Sequence, residues 1–228
     1  MSSSHVIVAL DTPEVATAQV WARAVAPHCG MFKLGLEFYL ANGAAGLRAI
    51  TGRPVFLDLK LHDIPTTVAG AVRAVLPMAP RMLSVHASGD GAMIRAARSA
   101  AANAPDRPMI LGVTVLTSLD AAGLQAIGVI DPPQVQVLRL ARLALANGAD
   151  GVVCSPWETA TLRQALGQGP LLVVPGIRPA GAATDDQARV MTPEQAIAAG
   201  ADWIVVGRPI TGAADPAAAA AAIDAEAR

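Results

Sequence analysis

Short apolar runs rich in Val, Ile, Leu and Met recur along the whole chain. Runs without polar alternation are typical of strands that are buried on both faces of a parallel sheet. We therefore predict eight strands, at residues 6–11, 31–36, 55–60, 82–87, 109–116, 151–155, 171–175 and 203–207.

The segments between these runs are rich in Ala, Leu and Arg with helical spacing, which predicts helices at residues 13–26, 67–76, 91–102, 133–147 and 216–227. The last of these has an Ala run, a strong helix former that needs no functional explanation. Gly148 and Gly200 each follow a helical segment and predict its end. Thr192 followed by Pro193 predicts an N-cap with proline at the first helical position.

Eight strands alternating with helices in a chain of 228 residues fit a (β/α)8 TIM barrel, an α/β fold, with residues 1–228 forming one domain. The alternative is a doubly wound open sheet. No Gly-x-Gly-x-x-Gly motif follows the first strand, which argues against the dinucleotide-binding version of that alternative.

Composition narrows the classes of function. The net charge is −1, and neither a basic run nor an aromatic stacking platform suggests a nucleic-acid partner. Cys29 and Cys154 are far apart, and no His or Cys cluster has metal-ligand spacing, so we expect no disulfide and no metal. The chain has neither a signal-peptide pattern nor an apolar stretch long enough for a membrane span, so we expect a soluble, cytoplasmic protein.

The third predicted strand carries two charges in an otherwise apolar run. Side chains two residues apart on a strand point the same way, so Asp58 and Lys60 share a face with Phe56, while Leu57 and Leu59 lie on the other. Buried charges are costly unless they are paired. The pattern therefore indicates a site.

Charged residues also end the neighbouring strands. Asp11 closes the first strand and Lys33 lies on the second, so with Asp58 and Lys60 they can alternate in sign at the carboxyl ends of the strands, where such barrels hold their active sites. The alternative is a structural ion network. Asp63 precedes Ile-Pro at a helix start, where it could simply act as a cap.

The other side of the predicted barrel mouth has phosphate-binding character. Gly176 follows the seventh strand and Gly207 ends the eighth, and a glycine allows the backbone to come close to a phosphate. Arg178 and Arg208 come two and one residues after these glycines. Residues 180–187 are small and polar and could form either a mobile lid or a simple surface loop. These residues predict a cofactor-free enzyme that acts on a small phosphorylated substrate.

A set of motifs in register resembles the orotidine 5′-phosphate decarboxylase family over nearly the whole chain. The motifs are Asp58-x-Lys60-x-x-Asp63-Ile64-Pro65-x-Thr67, Lys33-Leu34-Gly35, Leu116-Thr117-Ser118, Pro175-Gly176-Ile177-Arg178, Asp186-Gln187-Ala188-Arg189 and Val206-Gly207-Arg208-Pro209-Ile210. The resemblance implies conversion of orotidine 5′-phosphate to UMP and CO2, the last step of pyrimidine nucleotide synthesis, without a cofactor.

The resemblance also implies roles for individual residues. Lys60 would protonate C6 of the pyrimidine, and Asp58 and Asp63 would hold Lys60 and face the departing carboxylate. Asp63 would cross, with Ile64 and Thr67, into the site of the second subunit of a homodimer. The remaining substrate contacts would come from Asp11 and Lys33 at the ribose, Thr117 at the pyrimidine, and Gln187, Gly207, Arg208 and Arg178 at the phosphate.

Two further functions stay open at this point. One is a related decarboxylase or aldolase that acts on sugar phosphates, such as 3-keto-gulonate 6-phosphate, with Mg²⁺. The other is a non-catalytic barrel that senses UMP. Lys33 on the second strand argues against the metal-dependent enzyme, and the complete set of Asp58, Lys60 and Asp63 argues against the sensor.

Overall fold

Eight parallel strands form the centre of the computed structural model, which describes residues 4–179 and 191–228. The strands are β1 (Val6–Ala9), β2 (Met31–Gly35), β3 (Val55–Leu61), β4 (Met82–His86), β5 (Met109–Val113), β6 (Gly151–Val153), β7 (Leu171–Pro175) and β8 (Trp203–Val206). Each strand pairs with the next, and β8 pairs with β1, so the sheet is a closed barrel. The predicted (β/α)8 fold is confirmed.

Helices connect the strands and cover the outside of the barrel. They are α1 (Val15–Val25), α2 (Leu36–Ala49), α3 (Pro65–Val75), α4 (Asp90–Ala101), α5 (Ala121–Ala126), α6 (Pro133–Ala146), α7 (Pro156–Leu166), α8 (Pro193–Ala198), α9 (Arg208–Thr211) and α10 (Pro216–Glu226). The five helices predicted by range are confirmed to within two residues at each end. No helix in the described ranges is both long and apolar enough to cross a membrane.

The ends of the strands differ from the sequence prediction more than their starts. All eight strands begin at the predicted residue, but most end earlier, and β5 ends at Val113 and not at residue 116. The apolar run continues because Val115 and Leu116 line a cavity beyond the strand. Hydrophobicity reports burial, and here burial continues after the strand pairing has ended.

The barrel has two apolar layers, which follow from the alternation of side chains along each strand. The inner layer fills the barrel with Ile7, Ala9, Met31, Phe56, Met82, Leu111, Val173 and Val205. The outer layer packs the sheet against the helices and contains Leu57 and Leu59. Phe56 therefore faces the interior and Leu57 and Leu59 face the helices, as predicted.

The amino-terminal end of the barrel, which we call the base, is closed by two Arg–Asp pairs. Asp150 precedes β6, and its carboxylate accepts hydrogen bonds from the Arg107 guanidinium at 2.7 and 2.8 Å and from the backbone N–H of Ile110 in β5 at 2.8 Å. These bonds tie β5 to β6 and satisfy the carboxylate. Asp150 therefore has a structural role.

The same arrangement recurs two strands later. Asp202 precedes β8 and accepts hydrogen bonds from the backbone N–H of Leu172 in β7 at 2.7 Å and from Arg163 at 2.6 Å. Arg163 also donates to the carbonyls of residues 167, 170 and 200. Both aspartates stand in a Gly-Ala-Asp sequence whose glycine has a positive φ, 92° at Gly148 and 101° at Gly200. The predicted helix ends at these glycines are confirmed.

Candidate active site

Four charged side chains of alternating sign form a chain at the carboxyl-terminal end of the barrel, which we call the mouth. Lys33 Nζ lies 2.9 Å from Asp11 Oδ1 and 3.7 Å from Asp58 Oδ2. Lys60 Nζ lies 2.7 Å from the same Asp58 oxygen. The structure thus brings together the four charges that the sequence analysis grouped on strands one to three.

Asp58 is the centre of this charge chain. Its side chain is only 10% exposed and two lysines share its Oδ2 atom. Burial opposes ionisation of Asp58, but the positive charges of Lys33 and Lys60 and the hydrogen bonds from Lys60 and Ser84 outweigh it, so the pKa of Asp58 is lowered. The carboxylate is therefore ionised at neutral pH and balances part of the charge of the two ammonium groups.

The space for the charge chain depends on Gly35 at the end of β2. A Cβ atom at this position would lie 3.1 Å from Asp11 Oδ1 and 3.2 Å from Lys33 Nζ. A side chain would therefore crowd the ion pair between these two residues.

Lys60 lies in a β-bulge, which simple strand alternation did not predict. In the pairing of β3 with β4, Leu57 is opposite Leu83 but Leu61 is opposite Val85, so three residues of β3 face Ser84 alone. Lys60 has a φ of 49°, in the left-handed region that non-glycine residues rarely adopt. The bulge still directs the Lys60 ammonium to Asp58.

Ser84 is the residue of this site that the sequence analysis missed. Its side chain is fully buried, its hydroxyl donates to Asp58 Oδ1 at 2.7 Å, and it accepts from the backbone N–H of Lys60 at 2.9 Å. A small polar residue in an apolar strand gives little signal by itself. Its position two residues before His86, on the same face of β4, was the only sequence clue.

A cavity of about 210 Å³ opens directly above the charge chain. Its charged side consists of Lys33, Asp58 and Lys60, and Thr117 lies at its edge. The rest of the lining is mainly apolar and includes Phe56, Val113, Val115, Leu116, Val153, Cys154, Pro175 and Val205. The cavity therefore offers an apolar slot for a flat ring with two ammonium groups along one side.

A second cavity, of about 180 Å³, shares Lys33, Pro175 and Val205 with the first. Its lining also contains Asp11, Gly176, Arg178, Gly207, Arg208 and Thr211. Arg178 is buried, whereas Arg208 is exposed at the start of α9. The predicted phosphate residues that follow β7 and β8, apart from Gln187, therefore lie beside the charge chain. The predicted lid at 180–187, which includes Gln187, lies outside the described residues.

Asp63, Ile64 and Thr67 do not join the charge chain of their own subunit. Asp63 is exposed, and its carboxylate accepts from the backbone N–H of Ile64 at 2.6 Å. Ile64 is 64% exposed and Thr67 is also exposed. The N-cap of α3 is Ile64, which makes no side-chain cap, so the alternative of Asp63 as the helix cap is wrong.

Two histidines stand next to the site. The rings of His62 and His86 are 5.4 Å apart between centroids. Burial lowers the pKa of His86, and electrostatic interactions with His62 and Lys60 lower it further, while Asp58 opposes the shift. Among the described residues, no group of three or more His, Cys, Asp and Glu side chains could hold a metal ion.

The chain is similar to known proteins over nearly its whole length. A family model described as orotidine 5′-phosphate decarboxylase / HUMPS family matches residues 4–223. Proteins named orotidine 5′-phosphate decarboxylase from Anaeromyxobacter sp. strain K and Gluconobacter oxydans are 57% and 55% identical, over 97% and 96% of this chain and 97% and 95% of their own lengths. The crystal structure of orotidine 5′-phosphate decarboxylase from Lactobacillus acidophilus superposes with a TM-score of 0.86 at 39% identity and 99% coverage of both chains.

Proposed function

The chain belongs to the orotidine 5′-phosphate decarboxylase / HUMPS family and is a carboxy-lyase, and we propose that it removes CO2 from orotidine 5′-phosphate to give UMP by proton donation from Lys60. The observation that carries this proposal is the charge chain of Asp11, Lys33, Asp58 and Lys60 between an apolar slot and an arginine-lined cavity. This reaction is the last step of pyrimidine nucleotide synthesis.

The chemical step breaks the bond between C6 of the pyrimidine and the carboxylate carbon. The electron pair of that bond stays on C6 as CO2 leaves, and Lys60 Nζ donates a proton to C6. The neutral amine then regains a proton from solvent. Preorganised positive charge at the point where negative charge develops is commonly the largest catalytic contribution, and two ammonium groups lie on the cavity wall here.

Asp58 has two parts in this mechanism. It accepts from Lys60 at 2.7 Å and so orients the proton donor. Its negative charge also lies beside the place where the substrate carboxylate must fit, and this proximity favours departure of the carboxylate as neutral CO2. Asp63 of the second subunit is proposed to complete the set of carboxylates around Lys60.

Binding of the phosphate supplies the rest of the catalytic effect. A decarboxylation without an electron sink requires an acceleration worth roughly 20 kcal/mol, near the top of the enzymatic range, which no single lysine provides. Arg208, the backbone of Gly207, Gln187 and Arg178 are proposed to hold the phosphate, remote from C6. Binding energy from such a remote group can be used to stabilise the transition state.

The pyrimidine and the ribose bind between these two ends. Thr117 is proposed to contact the edge of the pyrimidine in the apolar slot. Asp11 and Lys33 are proposed to bind the ribose hydroxyls, which accords with the position of Lys33 in the lining of both cavities and of Asp11 in the lining of the second.

The position of Asp63 and Ile64 supports the proposal of a homodimer with shared sites. Neither residue lines the two cavities of its own subunit, and Ile64 exposes most of its apolar side chain next to the mouth. Leu36 and Leu40 are also exposed, at 53% and 75%, around an apolar depression between α2 and α3. A second copy that covers this face would bury these side chains and bring Asp63 and Thr67 to the neighbouring site.

Mixing two inactive variants tests the shared site. Lys60→Ala and Asp63→Ala are each expected to be inactive alone, and the mixed dimer is expected to regain activity because one of its two sites is intact. Exchange of subunits is verified with differently tagged chains. Demonstrated exchange with no recovered activity would contradict the role of Asp63 across the interface.

The decisive experiment for the function is a decarboxylation assay with purified protein. Loss of the orotate absorbance of orotidine 5′-phosphate is followed with and without EDTA. We expect full turnover in both. Turnover that EDTA abolishes would favour a metal-dependent relative that acts on sugar phosphates, and UMP binding without turnover would favour a sensor.

A further inference from the structure

Ser84 stands alone on β4 opposite the three bulged residues of β3. The pairing passes from Leu57–Leu83 to Leu61–Val85, so the residues between Leu57 and Leu61 have only Ser84 as their partner. Ser84 is 0% exposed. A hydroxyl in such a place must be fully hydrogen-bonded, because a buried polar group without partners is costly.

The hydroxyl of Ser84 uses both its donor and its acceptor on the residues of the charge chain. It donates to Asp58 Oδ1 at 2.7 Å and accepts the backbone N–H of Lys60 at 2.9 Å. Asp58 Oδ2, the other oxygen, is left for the two lysines. Ser84 therefore fixes the rotation of the Asp58 carboxylate and the backbone of Lys60 through one atom.

The backbone of Lys60 needs such support. Its φ of 49° is unfavourable for a side chain with a Cβ, and strained conformations of this kind persist only where the surroundings hold them. The side chain of Lys60 leaves this backbone and meets Asp58 at 2.7 Å. The proton donor is thus fixed at both ends, by Ser84 at its amide and by Asp58 at its ammonium.

We propose that Ser84 is a positioning residue for decarboxylation: it holds Lys60 in the left-handed conformation and aligns Asp58, so that the Lys60 ammonium points to the reacting carbon. This inference rests on the proposed function, in which Lys60 is the proton donor. Ser84 itself does not line either cavity of the mouth and acts through its two partners.

Kinetics of three substitutions test this role against simple filling of space. Ser84→Ala is expected to lower kcat on the order of 100-fold, as misplacement of a reacting group by about 1 Å can do, with KM within about threefold of wild type because the phosphate contacts remain. Ser84→Thr, which keeps the hydroxyl, is expected to restore most of kcat. Ser84→Cys, which keeps the volume but hydrogen-bonds weakly, is expected to resemble Ser84→Ala.

Thr114→Val is the matched control, because it deletes another buried hydroxyl, on the segment after β5, that donates to the carbonyl of Val153 at 2.9 Å. It is expected to keep kcat within about threefold. Wild-type kcat in Ser84→Ala, or an equal loss in Ser84→Ala and Ser84→Thr at equal melting temperature, would overturn the positioning role.

A crystal structure of Ser84→Ala makes the test independent of the reaction. We expect φ of Lys60 to leave the left-handed region or the Lys60 Nζ–Asp58 distance to lengthen. Unchanged geometry would refute the inference even if the wild-type enzyme turns over orotidine 5′-phosphate. Failure of the wild type to turn it over would instead refute the proposed function, while the geometric result would still decide what Ser84 positions.

Discussion

The cations of the charge chain at the mouth of the barrel are lysines, whereas the cations of the two ion pairs at its base are arginines. At the base, Arg163 divides its donors between Asp202 and three backbone carbonyls. At the mouth, Lys33 and Lys60 converge on one oxygen of Asp58. A guanidinium forms a fixed fork that stays charged, while an ammonium is a compact charge that can release a proton.

This difference separates the residues that stabilise the fold from those that are proposed to take part in the chemistry. The two Arg–Asp pairs at the base tie neighbouring strands together, and their charged groups are hydrogen-bonded. Their contribution is therefore structural. At the mouth, two ammonium groups held by Asp11 and Asp58 line a cavity, where they can stabilise negative charge that develops on a bound substrate. Substitutions at the two ends should therefore affect different measurements.

The largest expected effect is that of Lys60→Ala at the mouth. We expect kcat to fall by at least about 10⁴-fold, since both the proposed proton donor and an electrostatic contact are lost. The melting temperature should stay within a few degrees of wild type, because the side chain is partly exposed, at 38%. The decarboxylation assay and a thermal scan measure both, and near-normal turnover would exclude Lys60 as the proton donor.

For Arg163→Met at the base we expect the opposite result, a loss of stability with unchanged kinetics. The Arg163 side chain is 9% exposed. Its loss removes the charged partner of Asp202, which keeps the Leu172 N–H, and the donor of three backbone carbonyls, so the free energy of unfolding should fall by about 3 kcal/mol. Values of kcat and KM measured below the unfolding transition should not change.

Arg139→Met is the control for this change, because it removes an exposed ion pair between Arg139 on α6 and Asp131, which precedes α6, and should cost about 0.5 kcal/mol or less. Denaturant unfolding distinguishes the two variants. An equal loss of unfolding free energy in both variants would mean that the Arg163–Asp202 pair stabilises the fold no more than a surface ion pair does.

A smaller effect is expected on the phosphate side of the mouth. Arg208→Ala should raise KM by roughly 10- to 100-fold, the value of one hydrogen bond between charged groups, with a lesser effect on kcat. The same variant should weaken binding of UMP but not of uridine, as calorimetry can show. Equal weakening of both ligands would place Arg208 away from the phosphate. Arg23, exposed on α1, offers a control substitution.

The smallest effect concerns acid stability. Burial opposes ionisation of Asp150, but the hydrogen bonds from Arg107 and Ile110 and the charge of Arg107 outweigh it, so the pKa of Asp150 is lowered. A lowered folded-state pKa gives stability that is present above the pKa of the unfolded chain and is lost as the pH falls through the folded value. Asp150→Asn should therefore lose about 1 kcal/mol at pH 7 and show a shallower decline in acid.

Denaturant unfolding between pH 3 and 7 measures this slope. Part of the decline should remain in Asp150→Asn, because the pKa of Asp58 is lowered as well. An unchanged slope and an unchanged neutral stability would show that Asp150 contributes nothing to the base.

The sequence allowed the barrel and the charge chain to be predicted for related reasons. Apolar runs set the eight strand starts, and charges on such runs stood out against them. The bulge at Lys60 was not predictable, because it depends on the pairing of β3 with β4 and leaves no composition signal. Ser84 was missed for the same reason, since its contacts with Asp58 and Lys60 depend on the pairing of β4 with the bulged part of β3.

Some helices could have been found. Ser155 and Glu158 form a capping box at the start of α7, the Ser-x-x-Glu pattern that marks a helix N-terminus, and the same reasoning correctly located Thr192 as the N-cap of α8. The short helices α5 and α9 carry no comparable periodicity. They are too short to show one, although Asp120 caps α5 by accepting a hydrogen bond from the backbone N–H of Gly123.

The left-handed backbone at Lys60 has a consequence for engineering or selecting this protein for thermostability. Glycine adopts such a φ without the penalty of about 1 kcal/mol or more that a side chain incurs there. Lys60→Gly is therefore a substitution that relieves backbone strain while it removes the proposed proton donor. The relief of strain offsets part of the loss of the Lys60–Asp58 hydrogen bond, so a library built for thermostability has to keep position 60 fixed or select for turnover at the same time.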